Sequence, residues 1–227
     1  MKIFHLHIRK TAGTSFFDFL TDTLKKAKTC PIRSDFEFFT KVNDRDKSAY
    51  FTDFDIISGH FYQAAQFVPG EYKKITLLRN PIHRVVSAYN QIANDKNDLQ
   101  YANMIGLSLS EAIIDPQFAN ELWNGQTRAL VAASGNNFES MTDLQRFECA
   151  MDYLDTFDIV GFQEDTATMA TKLATMLDIK PVTLPRSNTQ VTAGGVSKKE
   201  AFTCLPALTT RNRIDLALYC EAISRFR

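Results

Sequence analysis

Cysteine is scarce in this chain. Its 4 cysteines, Cys30, Cys149, Cys204 and Cys220, stand far apart and form no CxxC pair. That spacing reads as thiols of a reducing compartment, not as a disulfide frame. Neither sign of charge is in excess: 26 Lys and Arg face 26 Asp and Glu, which excludes a nucleic-acid binder resting on a broad positive field. No window approaches the roughly 20 apolar residues that cross a bilayer, so no membrane span is expected. The segment Met1 to Lys10 has too short an apolar run, and no small-residue cleavage site, for a signal peptide. A cytoplasmic location is the expectation. HExxH and clustered metal ligands are missing, and no metal is expected. Internal repeats and low-complexity stretches are missing too.

What is present suits a soluble globular protein: 44% hydrophobic and 23% charged residues over 227 positions. A chain of this length buries enough surface to need no staple, and one domain over residues 1–227 is expected.

Lys2 to Ile8 alternates and then meets a turn of small residues, which predicts a strand. Phe16, Phe17, Phe19, Leu20 and Leu24 recur at helical spacing and predict a helix over 14–28, capped by Thr14 or Ser15. Asp55 to Phe61 and Lys73 to Leu78 predict strands. The second runs into Arg79-Asn80-Pro81, with Pro81 suited to the first turn of a helix ending near Asn94. Leu109 to Ala133 predicts two helical pieces broken near Pro116. Helices over 143–154, 165–177 and 210–226 and a strand over 158–163 complete the pattern, with a long aperiodic loop over 181–195. Strands alternating with helices imply a parallel sheet covered on both faces. Ligands of such sheets bind beyond the carboxyl ends of the strands. The loops Lys10 to Ser15, Gly59 to Tyr62 and Arg79 to Pro81 should therefore share one rim.

Lys10-Thr11-Ala12-Gly13-Thr14-Ser15 lies between a strand and a helix. Small residues let the backbone wrap closely around an anion, and the helix start offers unpaired N–H groups. Lys10 adds a charge, and Thr14 and Ser15 add hydroxyls. The pattern is not GxxxxGK[ST], because the lysine precedes the only glycine. A kinase of ordinary type would also need a magnesium-binding carboxylate at a strand end, whereas Asp55 begins its strand.

His7-Ile8-Arg9-Lys10-Thr11-Ala12-Gly13-Thr14-Ser15 resembles the 5′-phosphosulfate loop of sulfotransferases that use 3′-phosphoadenosine-5′-phosphosulfate (PAPS), in particular the heparan sulfate 2-O- and 6-O-sulfotransferases and their bacterial homologues. Thr76-Leu77-Leu78-Arg79-Asn80-Pro81-Ile82-His83-Arg84-Val85-Val86-Ser87-Ala88-Tyr89 resembles their 3′-phosphate motif, a strand followed by R-D/N-P-x-x-R-x-x-S-x-Y. Weaker echoes lie at Asn124 to Leu130, Phe157 to Glu164, and Ser187-Asn188-Thr189 with Thr192-Ala193-Gly194-Gly195.

The resemblance implies a P-loop-like three-layer α/β fold with a central parallel sheet flanked by helices. It implies sulfuryl transfer from PAPS, releasing 3′-phosphoadenosine-5′-phosphate (PAP), to an acceptor hydroxyl, with a carbohydrate favoured. It assigns Arg9, Lys10, Thr11, Ala12, Gly13, Thr14 and Ser15 to the 5′ end of the nucleotide. Arg79 and Ser87 fall to the 3′-phosphate, and Asn188, Thr192 and Ala193 to a closing loop. Arg84 and Tyr89 are read as packing residues.

Lys10 is expected to neutralise the leaving phosphate. Among His5, His7, His60 and His83, His60 is the expected base, because it ends a strand on the same rim and imidazole titrates near neutrality. His5 and His7 are read as core or edge residues. Asp53, Asp55 and Glu71 are alternative bases, and Gln91, four residues after Ser87, shares its helix face. Phe61 and Tyr62 suit either a sugar ring or the core. Two rival readings are a nucleotide kinase-like phosphoryl transferase and a non-catalytic nucleotide- or glycan-binding module.

Overall fold

The computed structural model describes residues 1–180 and 195–227. Asn188, Thr192 and Ala193 lie outside the described residues. Four strands, β1 (Ile3–Leu6), β2 (Ile56–Gly59), β3 (Lys73–Leu78) and β4 (Ile159–Phe162), form one sheet in the order β2-β1-β3-β4. Every neighbouring pair is parallel. In register, Leu6 sits beside Gly59 on one side and Thr76 on the other.

Successive strand side chains face opposite ways, and two cores result. Phe4, Leu6, Ile57, Leu78, Val160 and Phe162 pack against residues of the helices Gly125–Ala133, Asp143–Leu154 and Arg213–Phe226. Ile3, Ile75, Leu77 and Ile159 pack against Phe16 and Leu20 of α1 (Gly13–Thr23) and Met169, Ala170 and Leu173 of the helix Thr166–Leu177. Helices thus cover both faces of the sheet, as the sequence predicts. A third core gathers around Val85, Ala88, Tyr89 and Ile92 of the Pro81–Asn94 helix.

The strand over 73–78 and the helices over 81–94 and 143–154 have the expected bounds. Elsewhere the elements are shorter. β1 stops at Leu6 because the chain leaves the sheet to enter the turn at Lys10. The region 109–133 breaks into more pieces than two, with short helices at Leu109–Ala112 and Ala119–Leu122, a 3-10 turn between them and the helix Gly125–Ala133 after them. The last helix begins at Arg213, because buried Asn212 interrupts it; Asn212 Oδ1 accepts from the Asn124 N–H.

Candidate active site

Because the strands are parallel, the ends of β1, β2 and β3 open on one rim. A cavity of about 740 Å³ lies there, lined by His7, Lys10, Ala12, Gly13, Thr14, Ser15, His60, Arg79 and Ser87 among others. The two motifs distant in sequence therefore meet in one place.

The first loop is tightly bent. Lys10 and Ala12 both adopt left-handed backbone, at φ 67° and 70°, a conformation that costs a non-glycine residue on the order of 1 kcal/mol. Thr11 Oγ1 closes the turn by donating to the Ile8 carbonyl at 2.8 Å. Thr11 is fully buried and absent from the cavity wall, so its side chain braces the loop from behind. α1 starts at Gly13 with no side-chain cap. Its first N–H groups consequently lack intrahelical partners, and Gly13, Thr14 and Ser15 line the cavity, where the helix dipole adds positive potential.

Gly13 is required by its neighbour. A Cβ at Gly13 would fall 1.9 Å from Cδ2 of His7. The His7 ring is thus the floor on which the loop rests. It is itself packed against His60, with ring centroids 4.3 Å apart.

Arg79 is clamped by the side-chain amide of Gln126. The Arg79 N–H donates to Gln126 Oε1 at 2.9 Å, and Gln126 Nε2 donates to the Arg79 carbonyl at 2.9 Å. The guanidinium then reaches the first loop, where Nη1 donates to the Lys10 carbonyl at 3.0 Å. Asn80 caps the next helix by accepting from the Ile82 and His83 N–H groups, with Pro81 at its first turn. That helix brings Ser87 and Gln91 to the cavity. Lys10 has its pKa lowered by burial and then by the charges of Arg79 and Arg9. Arg79 is likewise lowered by burial first. Crowded, half-desolvated cations of this kind are relieved by an anion. Arg9 is differently placed: it lines the cavity, but its guanidinium donates to Asp98 Oδ2 at 3.0 Å and Glu121 Oε1 at 2.8 Å.

His60 is fixed by backbone on both sides. Its N–H donates to the Arg33 carbonyl at 2.8 Å, and its carbonyl accepts from the Asp35 N–H at 3.1 Å. Asp35 in turn accepts from the N–H groups of Tyr62, Gln63 and Ala64 at 2.8 to 2.9 Å, which holds the loop after β2 against the cavity. The ring Nδ1 lies 2.6 Å from the His7 carbonyl. A carbonyl only accepts, so Nδ1 carries the proton and Nε2 keeps its lone pair. Burial pushes the His60 pKa down to about 4, so the ring is neutral at pH 7.

Two expectations change. Asp53 and Asp55 lie just before β2 and Glu71 just before β3, at the edge of the sheet opposite the cavity. Asp55 accepts there from the Lys28 N–H, and Glu71 pairs with Lys2. They do not reach the rim. Asp35 and Glu121, which sequence reasoning passed over, are the carboxylates that line the cavity. His7 is buried, as expected, yet it also forms part of the cavity wall. Arg84 and Tyr89 are packing residues: Arg84 donates through Nη1 and Nη2 to the Glu121 carbonyl at 3.1 Å, and Tyr89 Oη to the Leu107 carbonyl at 2.6 Å.

A sheet rim with an open helix start, a half-buried lysine and a clamped arginine defines an enzyme class that handles anionic groups. The match to a family model is specific: residues 1–202 fit the sulfotransferase family, and the chain belongs to that family. A comparison with curated proteins finds no match. The chain is thus a sulfuryl transferase with a parallel α/β fold. Among the described residues no helix is long and apolar enough to cross a membrane.

Proposed function

We propose that this protein transfers a sulfuryl group from PAPS to a carbohydrate hydroxyl. One observation carries the reading: Lys10, Gly13, Thr14 and Ser15 share a cavity with Arg79 and Ser87, which suits a nucleotide bearing anionic groups at both its 5′ and 3′ positions. The N–H groups at the start of α1, with Lys10, would hold the 5′ end. Arg79 and Ser87 would take the 3′-phosphate, as a guanidinium fork and a hydroxyl converge on one phosphate.

In the reaction, the acceptor oxygen forms a bond to sulfur while the bond from sulfur to the 5′-phosphate oxygen breaks. The electron pair of that bond stays with the phosphate of PAP, whose new charge Lys10 offsets. The hydroxyl proton goes to Nε2 of His60. His60 supplies that base because its Nδ1 proton is tied to the His7 carbonyl.

Incubation with radiolabelled PAPS and a glycan panel tests this. Label on a glycan, lost in Lys10→Ala, is the expected result. Stabilisation by ATP and magnesium but not by PAP would instead favour phosphoryl transfer. PAP binding without transfer to any acceptor would favour a binding module.

A further inference from the structure

A second cavity, of about 760 Å³, adjoins the first. The two share Arg9, Asp35, Tyr62 and Glu121 as a common wall, so the second cavity opens beside His60, whose ring lies 6.0 Å from that of Tyr62. Its size suits a few sugar units, and its position suits an acceptor entering toward His60. Its charge is informative.

Three arginines line it, and each already has an anionic or carbonyl partner within the protein. Arg9 holds Asp98 and Glu121. Arg84 is buried against the Glu121 carbonyl, with Asp215 at 3.9 Å. Arg128 pairs with Glu139, donates to the Trp123 carbonyl at 3.0 Å and stacks on Phe138 at 4.1 Å. Among the described residues no lysine lines this cavity, while Asp35, Glu121 and Glu139 do. A sulfated or carboxylated chain would find no free cation here: the three arginines are offset by three carboxylates, Glu121 and Glu139 being partners of Arg9 and Arg128.

Apart from the Tyr62 hydroxyl, which is engaged by the Arg9 N–H and the His7 carbonyl, the remaining polar side chains of the lining are carboxamides: Gln63, Gln66, Asn120, Asn136 and Asn137. All five are exposed. A carboxamide offers donor and acceptor together, which matches a hydroxyl that both gives and receives a hydrogen bond. We infer that the acceptor is an uncharged polyhydroxylated saccharide, bound by the carboxamides of this second cavity. The inference rests on the sulfotransferase reading above and narrows its acceptor class.

The test measures transfer from saturating PAPS to neutral oligosaccharides (cello-, chito- and galacto-hexaoses) and to heparosan and chondroitin oligosaccharides, with PAP binding followed separately by calorimetry. Transfer to a neutral member is expected, with an acceptor KM that changes less than about twofold between roughly 50 and 300 mM salt. Gln63→Ala and Asn120→Ala should each raise that KM by about fivefold, leaving PAP affinity and thermal midpoint unchanged. Transfer confined to heparosan or chondroitin, or a KM that rises about tenfold with salt, overturns the inference while leaving the enzyme reading intact. Failure of every neutral member with PAP still bound also overturns it. Loss of PAP binding itself would sink the nucleotide reading, and the acceptor inference with it.

Discussion

Arg79 Nη1 donates to the carbonyl of Lys10 at 3.0 Å, joining the end of β3 to the turn after β1. This contact locks the two halves of the proposed nucleotide site to each other across 69 residues of chain. Arg79→Ala should remove both this strut and a phosphate ligand. PAP affinity should fall by about 2 kcal/mol, roughly thirtyfold, in a calorimetric titration. Arg79→Lys should recover little, since a point charge cannot serve the carbonyl and a phosphate together.

Gly13→Ala should cost nucleotide binding through a steric cause that can be isolated. The new methyl would collide with the His7 ring, and the loop must lift to admit it. The double variant His7→Ala with Gly13→Ala should regain much of the loss, a non-additivity expected only of residues in contact. Titration of PAP against all four forms checks this.

Ala12→Gly should make the protein more stable. Ala12 holds φ 70°, where a Cβ is strained and glycine is not. A gain of about 1 kcal/mol is expected, or about 2–4 °C in thermal midpoint. Turnover should fall or stay level, because a slacker loop presents its N–H groups less uniformly.

Acid should weaken the fold before it stops the chemistry. Burial lowers His5, His7 and His60 from the ordinary 6.5 to about 3, 2 and 4. Below 6.5 the unfolded chain therefore takes up protons that the folded one refuses. Stability is full above 6.5 and falls as pH drops, each histidine contributing up to about 1.4 kcal/mol per pH unit until its folded value is reached. Urea midpoints at pH 7 and 5.5 should differ sharply. The turnover of enzyme still folded should hold nearly level down to pH 5, because His60 remains neutral there. A rate that halves near pH 6.5 without unfolding would argue against His60 as the base.

The sequence made much of this legible, for physical reasons. β3 and the Pro81–Asn94 helix were readable because an apolar run, an Asn cap and a proline at the first turn are local signals. The shared rim followed from alternating strands and helices. Asp35, Glu121 and His7 were not legible in their site roles. Asp35 acts by gathering three N–H groups from residues 62–64, and Glu121 by holding Arg9 from 112 positions away. Neither contact leaves a periodic or spaced pattern. His7 was readable as buried, but its place beneath Gly13 depends on a turn that brings residues six apart face to face. Gln126 was legible as a motif member, while its function, clamping the Arg79 backbone, needed the fold.

The most direct test is a crystal structure with PAP bound. The 5′-phosphate is expected at the N–H groups of Gly13, Thr14 and Ser15 with Lys10 beside it, and the 3′-phosphate on Arg79 and Ser87. PAP lodged elsewhere, or bound with its 3′-phosphate away from Arg79, would contradict this placement.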